Sequence, residues 1–474
     1  MLNADLIRAA LPCSGELPAG TGKTETIAEL VKSYAAEGGR SLVLTHTHAG
    51  VDVIRRRMRK FGVPTAAVTI RTLDSWCFDL IASFPVLSGI HVGEEPDWAM
   101  TQQYHEAGQR AVVTEAVLRM LRASYELVVI DEYQDCQTWQ HELVVQISRA
   151  VPTCVLGDRM QGLFYFGTAR PVDWDQDVLP AFPAVTIPVH YWRWHGPNPA
   201  LGEWLLDART KLMNDLPLDL VSSPVNVKPP TELHATLFGL PPHPVSTVAI
   251  VKWPKDAAVL ALKLGGGYTM IEELEGKYLR AFAEIVDNGT SAQIANATLA
   301  YVLGCAFGVA SEIHVDDRRP LQFGTPMDLT RVPSGLTSAV IALNALLVAP
   351  DVEAIRRTLV AFSRFAGFKL YRREAWFGML DALRLCETTN DLTALAAVVS
   401  IRNKMRSMGR RPESRIVGRP LLVKGLEFDH AVVVGPEGLN AHELYVCLTR
   451  GSHSVTVISD RTSFQPSRPQ RAMA

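Results

Sequence analysis

The sequence predicts an α/β fold built on parallel sheets, and three stretches carry that prediction. Leu127-Val128-Val129-Ile130 is an unbroken apolar run rich in β-branched side chains, the composition of a strand buried on both faces. Ser41-Leu42-Val43-Leu44-Thr45 and Thr153-Cys154-Val155-Leu156-Gly157 repeat the pattern. Each run gives out in polar residues: Asp131-Glu132, His46-Thr47-His48 and Asp158. Parallel sheets place their chemistry at the carboxyl ends of strands, so these exits are the candidate functional positions.

The chain has 474 residues, 47% of them hydrophobic and 20% charged, which is a globular composition. Its length corresponds to about three ordinary domains. Lys and Arg number 47 against 49 Asp and Glu, a net charge of −2. That balance excludes a globally basic protein, so any nucleic-acid contact falls to a local groove. The seven cysteines lie far apart, with no Cys-x-x-Cys pair and no clustered histidines. This spacing argues against an iron–sulfur or zinc site and for free thiols in a reducing compartment. Met1 to Arg8 lacks the charged head and apolar run of a signal peptide, and no run reaches the roughly 18 apolar residues of a membrane span. The expected location is the cytoplasm, with no membrane partner.

Taken in order, the first motif is Pro18-Ala19-Gly20-Thr21-Gly22-Lys23-Thr24. It reads as a phosphate loop: Gly20, Thr21 and Gly22 let backbone N–H groups wrap a β-phosphate, Lys23 reaches the β and γ oxygens, and the Thr24 hydroxyl joins Mg²⁺. A helix follows with Ile27, Leu30, Val31 and Tyr34 on one face and Gly38-Gly39 to stop it, so its positive N-terminus points at the phosphates. Leu17 stands where the full pattern has glycine, and the residues before Pro18 are polar for a first strand. After the Ser41 strand comes a helix with the basic cluster Arg55 to Lys60, whose plain reading is a solvated face. Val68 to Ser75 looks like a strand and its exit, and about 85–120 like a small insert.

Asp131 and Glu132 alone are equally a strand terminus facing solvent. With the phosphate loop upstream they become a water-mediated Mg²⁺ ligand and a base for an attacking water, respectively. Asp158 is followed three residues later by Gln161, an amide able to contact both a γ-phosphate and that water. Phe164, Tyr165 and Phe166 are either core or include a base-stacking aromatic.

The Pro-rich stretch from Pro171 to Pro188 reads as a crossing between domains. Tyr191-Trp192-Arg193-Trp194 sets one arginine among aromatics, as a packed stem or a functional cation. Thr247 to Lys252, a helix from Asp256 to Leu264, and Tyr268 to Glu272 form a strand–helix–strand unit that opens a second α/β domain. Residues 277–411 turn helical, before strands resume at Ala431 to Gly435 and Ser454 to Ile458. The expected organisation is a first domain over 1–180, a second over 181–276 and 412–460, a helical insert over 277–411, and a loose tail over 461–474.

The ordered series Ala-Gly-Thr-Gly-Lys-Thr, Thr-His-Thr-His, Asp-Glu-Tyr-Gln-Asp, Gly-Asp-x-x-Gln, aromatic-Arg, Lys-Gly-Leu-Glu-Phe-Asp and Tyr-Val-x-Leu-Thr-Arg spans residues 18–453. In this series the chain resembles the UvrD/Rep-like helicases of superfamily 1. The resemblance implies two RecA-like P-loop domains with ATP in the cleft between them. Lys23, Thr24 and Asp131 would then hold the phosphates and Mg²⁺, Glu132 would be the base, and Gln161 would sense the γ-phosphate. Arg193 and Arg450 would reach across from the second domain as arginine fingers, and Gly425 and Glu427 would lie near the ribose.

The resemblance also implies a 3′ to 5′ translocase on single-stranded or partly duplex DNA, with Thr47, His48, Arg71, Thr72 and Phe166 along the track. Compact helicases of this kind occur beside OLD-type nucleases in Gabija-like phage defence, a role compatible with the size here. The alternative function is therefore an ATPase switch that controls a partner nuclease with little strand separation. Three departures stand out: residues 1–17 hold no glutamine to read adenine, Arg419-Pro420-Leu421 replaces an expected Thr-x-His, and Arg71 replaces a usual histidine.

Overall fold

All three apolar runs form strands in the computed structural model, which describes residues 2–93, 96–163, 170–240, 245–273, 276–408 and 413–467. A five-stranded sheet has the order β1-β5-β4-β2-β3, with β1 Cys13–Glu16, β2 Ser41–Thr45, β3 Val68–Thr72, β4 Leu127–Ile130 and β5 Thr153–Gly157. Every pairing in it is parallel. The alternation of side chains along a strand explains why β4 has no polar residue. Leu127 and Val129 enter a core with Ile27, Leu30, Val43 and Leu156. Val128 and Ile130 enter another with Leu42, Leu44, Cys77, Leu143 and Val155. Ala111, Val112 and Val117, from the stretch expected to be an insert, share that second core.

The polar residues before Pro18 do form a strand, because pairing rather than propensity holds it. Cys13 to Glu16 align with Cys154 to Gly157. On the other side Ser14 N donates to Pro183 O at 2.9 Å and Val185 N to Ser14 O at 2.8 Å. Ser14 and Cys13 are accordingly buried.

The strand order positions the site. Because β5 lies between β1 and β4, the loop after β1, Asp158 after β5 and Asp131 after β4 emerge side by side at one edge of the sheet. Helix α1 (Leu2–Ala10) precedes β1, and helix α2 (Lys23–Ala36) returns from that edge with Ile27, Ala28, Leu30 and Val31 buried. Helix α3 (His48–Lys60) and helix α4 (Leu73–Ser83) leave it from β2 and β3.

Contacts divide the chain into two units. One holds Met1–Lys228, Lys424–Asp429 and Gly435–Ala474, and the other holds Pro229–Val423 and His430–Val434. The division falls later than the Pro-rich crossing suggested, since Trp194, Leu201, Leu205 and Leu212 are buried within the first unit. Within the second unit Thr247–Ile250 lies between Arg415–Gly418 and His430–Val434, parallel to both, with Thr269–Met270 beyond Arg415–Gly418. Within the first, Asn226–Lys228 pairs in parallel with Gly451–Ile458.

Residues 277–408 are mainly helical, as their alanine- and leucine-rich composition predicts. Their helices share one core in which Leu279, Phe282, Tyr301, Phe362 and Trp376 are buried. Among the described residues no helix is long and apolar enough to cross a membrane, and all seven cysteines are free. Trp376 is 1% exposed. Trp376→Ala should therefore cost about 3–5 kcal/mol, read as a lower urea midpoint for the helical unit, and an unchanged midpoint would remove Trp376 from the core.

Candidate active site

Gly20 and Gly22 adopt φ angles of 70° and 89°, a left-handed region that glycine enters without strain. Space gives a second reason for them. A β-carbon on Gly20 would stand 2.7 Å from the Trp194 ring, and one on Gly22 would stand 2.8 Å from Trp192. The short helix Trp192–His195 thus lies across the loop, and Arg193 N donates to Gly20 O at 3.2 Å. Gly22 caps α2, accepting from Thr26 N at 2.9 Å. The Thr21 hydroxyl donates to Pro18 O at 2.7 Å. Leu17, in place of the expected glycine, is buried and its N–H donates to Gly157 O at 2.8 Å, tying the loop to β5.

Lys23 Nζ lies 2.8 Å from Glu132 Oε1 and 3.5 Å from Asp131 Oδ1. Burial alone would lower the lysine pKa, but the charges of Glu132 and Asp131 outweigh it and raise the value. Glu132 shows the reverse: burial opposes its charge, yet Lys23 and then Lys424 hold it below the usual carboxylate range. Burial, with Glu132 adding to it against Lys23, keeps Asp131 above that range. Glu132 also sits at φ 57°, a strained conformation for a side chain of its size, where its N–H donates to Asp131 Oδ1 at 2.9 Å.

The Thr24 hydroxyl and Asp131 carboxylate are hard oxygen donors of the kind Mg²⁺ takes. Among the described residues no three His, Cys, Asp or Glu side chains gather into a metal cage. Mg²⁺ is commonly held by one or two carboxylates together with phosphate oxygens.

Gln161 is buried, with Nε2 donating to Asp158 Oδ2 at 3.0 Å and Oε1 accepting from Arg450 Nη2 at 3.3 Å. Arg450 is 1% exposed, and its other bonds go to Val446 O at 2.9 Å, Leu426 O at 3.0 Å and Thr449 Oγ1 at 2.8 Å. Burial, and then the charge of Arg193, pull its pKa down to about 10. A desolvated cation whose hydrogen-bond partners carry no charge is well placed to meet developing negative charge.

Arg193 pairs with Glu427 and donates from Nη1 to Thr449 O at 2.8 Å. Its Nε is buried without a hydrogen-bond partner among the described residues. Against burial, Arg193 keeps Glu427 below the usual carboxylate range, and Gly425 just upstream is a left-handed glycine at φ 76°. The resemblance implied arginines delivered from a second domain. Arg193 and Arg450 instead share a unit with the phosphate loop, because the Trp192–His195 turn bonds directly to Gly20 and Trp194 Nε1 bonds to Gly451 O at 2.8 Å.

Several participants had no role in the sequence reading. Gln134 donates from Nε2 to Glu132 Oε2, while its Oε1 accepts from Asp158 N at 2.9 Å, so one amide joins the exits of β4 and β5. Gly157 is kept small by it, since a β-carbon there would stand 2.6 Å from Gln134 Oε1. Ala19 N donates both to Asp158 Oδ2 at 3.1 Å and to the Tyr445 hydroxyl at 3.2 Å. Lys424 pairs with Asp135, whose pKa burial pushes up to about 6 against the lysine's pull. The motif spacing contained Gln134, but Lys424 and Asp135 are 289 residues apart and no local pattern joins them.

The candidate track residues sit at the exits of β2 and β3. Thr47 caps α3, accepting from Gly50 N at 3.0 Å, with His48 next in the first turn. Thr72 caps α4, accepting from Ser75 N at 3.1 Å, and Arg71 pairs with Asp79. Phe166 lies outside the described residues.

Comparison with known proteins places a family model, described as an AAA domain, on residues 16–167. That segment, about a third of the chain, runs from the end of β1 past Gln161. Among solved structures, the chain is similar to the Pif1 helicase from Candida albicans, at 11% identity and a TM-score of 0.31. The alignment covers 57% of this chain and 53% of that one, so the chain spans about half the length of that structure. No curated protein matches by sequence.

The bridging amide gives a direct test. Gln134→Leu leaves the Asp158 N–H without its acceptor, so the variant should lose about 1–3 kcal/mol in urea unfolding and exchange the Asp158 amide faster. Unchanged exchange there would show that Gln134 does not hold the two strand exits together.

Proposed function

We propose that this chain is an ATP-hydrolysing DNA motor of the UvrD/Rep type, translocating 3′ to 5′ on single-stranded DNA. The observation that carries the reading is the convergence of Lys23, Asp131, Glu132, Gln161, Arg193 and Arg450 at one sheet edge. Phosphoryl transfer needs positioning and charge neutralisation more than covalent chemistry. ATP·Mg²⁺ supplies the phosphoanhydride to be cleaved and the cation that offsets its charge.

The residues divide that work. Lys23 would leave its two acids to meet the β and γ oxygens, and Thr24 and Asp131 would hold the metal. Glu132, restrained by Gln134, accepts a proton from the attacking water. Gln161 orients that water against the γ-phosphate. Arg450 and Arg193 stabilise charge on the departing oxygens, with Gly425 and Glu427 beside the sugar. Hydrolysis then releases the contacts that Gln161 and the arginines make, and the released geometry drives movement along DNA at Thr47, His48, Arg71, Thr72 and Phe166.

A second reading is an ATPase switch controlling a partner nuclease. Its support is that Thr47 and Thr72 cap helices and Arg71 is paired with Asp79, so these track candidates already have local partners.

Steady-state ATP hydrolysis with and without single-stranded DNA, on wild type and Glu132→Gln, separates the readings. The motor predicts strong stimulation by DNA that the variant loses, whereas hydrolysis indifferent to DNA would favour the switch. Lys23→Ala should abolish turnover in either case. Arg450→Ala should lower kcat by roughly a thousandfold while leaving nucleotide binding largely intact, and wild-type turnover in that variant would sink its role as an arginine finger.

A further inference from the structure

Asp158 is fully buried at the exit of β5, and its two oxygens do different things. Oδ2 accepts from Ala19 N of the phosphate loop at 3.1 Å and from Gln161 Nε2 at 3.0 Å. Oδ1 accepts from Met160 N at 3.2 Å and from Arg209, whose Nε and Nη2 lie at 3.1 and 2.9 Å. Arg209 projects from the helix Pro199–Met213 and is largely buried. Its Nη2 also pairs with Glu16, the last residue of β1, and Glu16 in turn accepts from Arg159 Nε. The guanidinium therefore spans the ends of β1 and β5, the two strands that deliver the phosphate loop and Gln161.

A carboxylate is planar and rigid, so clamping Oδ1 with two N–H donors fixes where Oδ2 points. Oδ2 in turn decides which way round the Gln161 amide lies: its nitrogen faces Asp158, leaving its oxygen for Arg450. Without Arg209 the buried carboxylate would lack its counter-charge, and the loop and glutamine would lose a shared anchor.

We propose that Arg209 is the positioning residue of the γ-phosphate sensor, acting through Asp158 to hold Gln161 in register with the phosphate loop. It touches no reacting atom; it makes the discrimination between nucleoside triphosphate and diphosphate possible. This rests on the reading of the site as a nucleotide hydrolase.

The test compares wild type with Arg209→Lys, Arg209→Met and the double variant Arg209→Met/Asp158→Asn. It measures kcat for ATP, the affinity for ADP, and the affinity for a non-hydrolysable ATP analogue, each with Mg²⁺. Arg209→Met should lose about tenfold or more in kcat and most of the preference for the triphosphate, while ADP affinity changes by no more than about threefold. Arg209→Lys should fall between it and wild type. The double variant should recover part of kcat, because the uncompensated charge is gone. The proposal is overturned if Arg209→Met keeps the wild-type kcat and triphosphate preference. It is equally overturned if ADP affinity collapses alongside both in the Met and Lys variants and the double variant recovers nothing, which is the signature of a folding defect. A wild type that binds neither nucleotide overturns this inference together with the hydrolase reading. A wild type that hydrolyses ATP beside an unaffected Arg209→Met overturns this inference alone.

Discussion

One part-buried lysine and two acids set the terms for everything around them. Asp131 and Glu132 favour the charge of Lys23 against its desolvation, and the lysine offsets part of the cost of taking the two acids out of water. The cluster is therefore mutually dependent, and it fixes three things at once: the start of α2, the end of β4 and the exposed face between them. It also explains the strained backbone at Glu132, which turns the carboxylate toward Lys23 and Gln134. A nucleotide bringing phosphates and a divalent cation would substitute for both sides of this pairing, anion for the lysine and cation for Asp131.

The strand order makes such a cluster possible. With β5 between β1 and β4, a third set of polar groups is inserted between the phosphate loop and the acids. Asp158 and Gln134 occupy that gap and bond to each other, so the loop after β1, Gln161 and Glu132 are linked by hydrogen bonds as well as by proximity. The small residues follow from the same crowding. Gly157 leaves room for Gln134, while Gly20 and Gly22 leave room for the Trp192–His195 turn.

That turn changes how the arginines are understood. Arg193 and Arg450 are built into the unit that holds the phosphate loop, and Arg450 is desolvated with neutral hydrogen-bond partners among the described residues. Pre-paid desolvation is what makes such a cation effective against developing charge. The second unit has its own mainly helical core, closed around Trp376, Tyr301 and Phe362, and its strands Thr247–Ile250, Arg415–Gly418 and Thr269–Met270 form a parallel set of their own.

The sequence by itself determined the α/β class, the strands of the first sheet after β1, the start of α2 at the phosphate loop and the helical character of 277–408, because period and buried runs are local properties. It also marked residues whose side-chain types suit a nucleotide site, since motif spacing and side-chain type are written in one dimension. Tertiary structure alone decided the rest. That polar Cys13–Glu16 becomes a strand depends on partners 141 residues away. That Gln134 bridges two strand exits, that Lys424 meets Asp135, and that Arg209 clamps Asp158 depend on which strands neighbour which. The placement of Arg193 beside the loop depends on two tryptophans packing where two glycines leave space. Such contacts join residues distant in the chain through a shared sheet edge, and no local pattern encodes which edges meet.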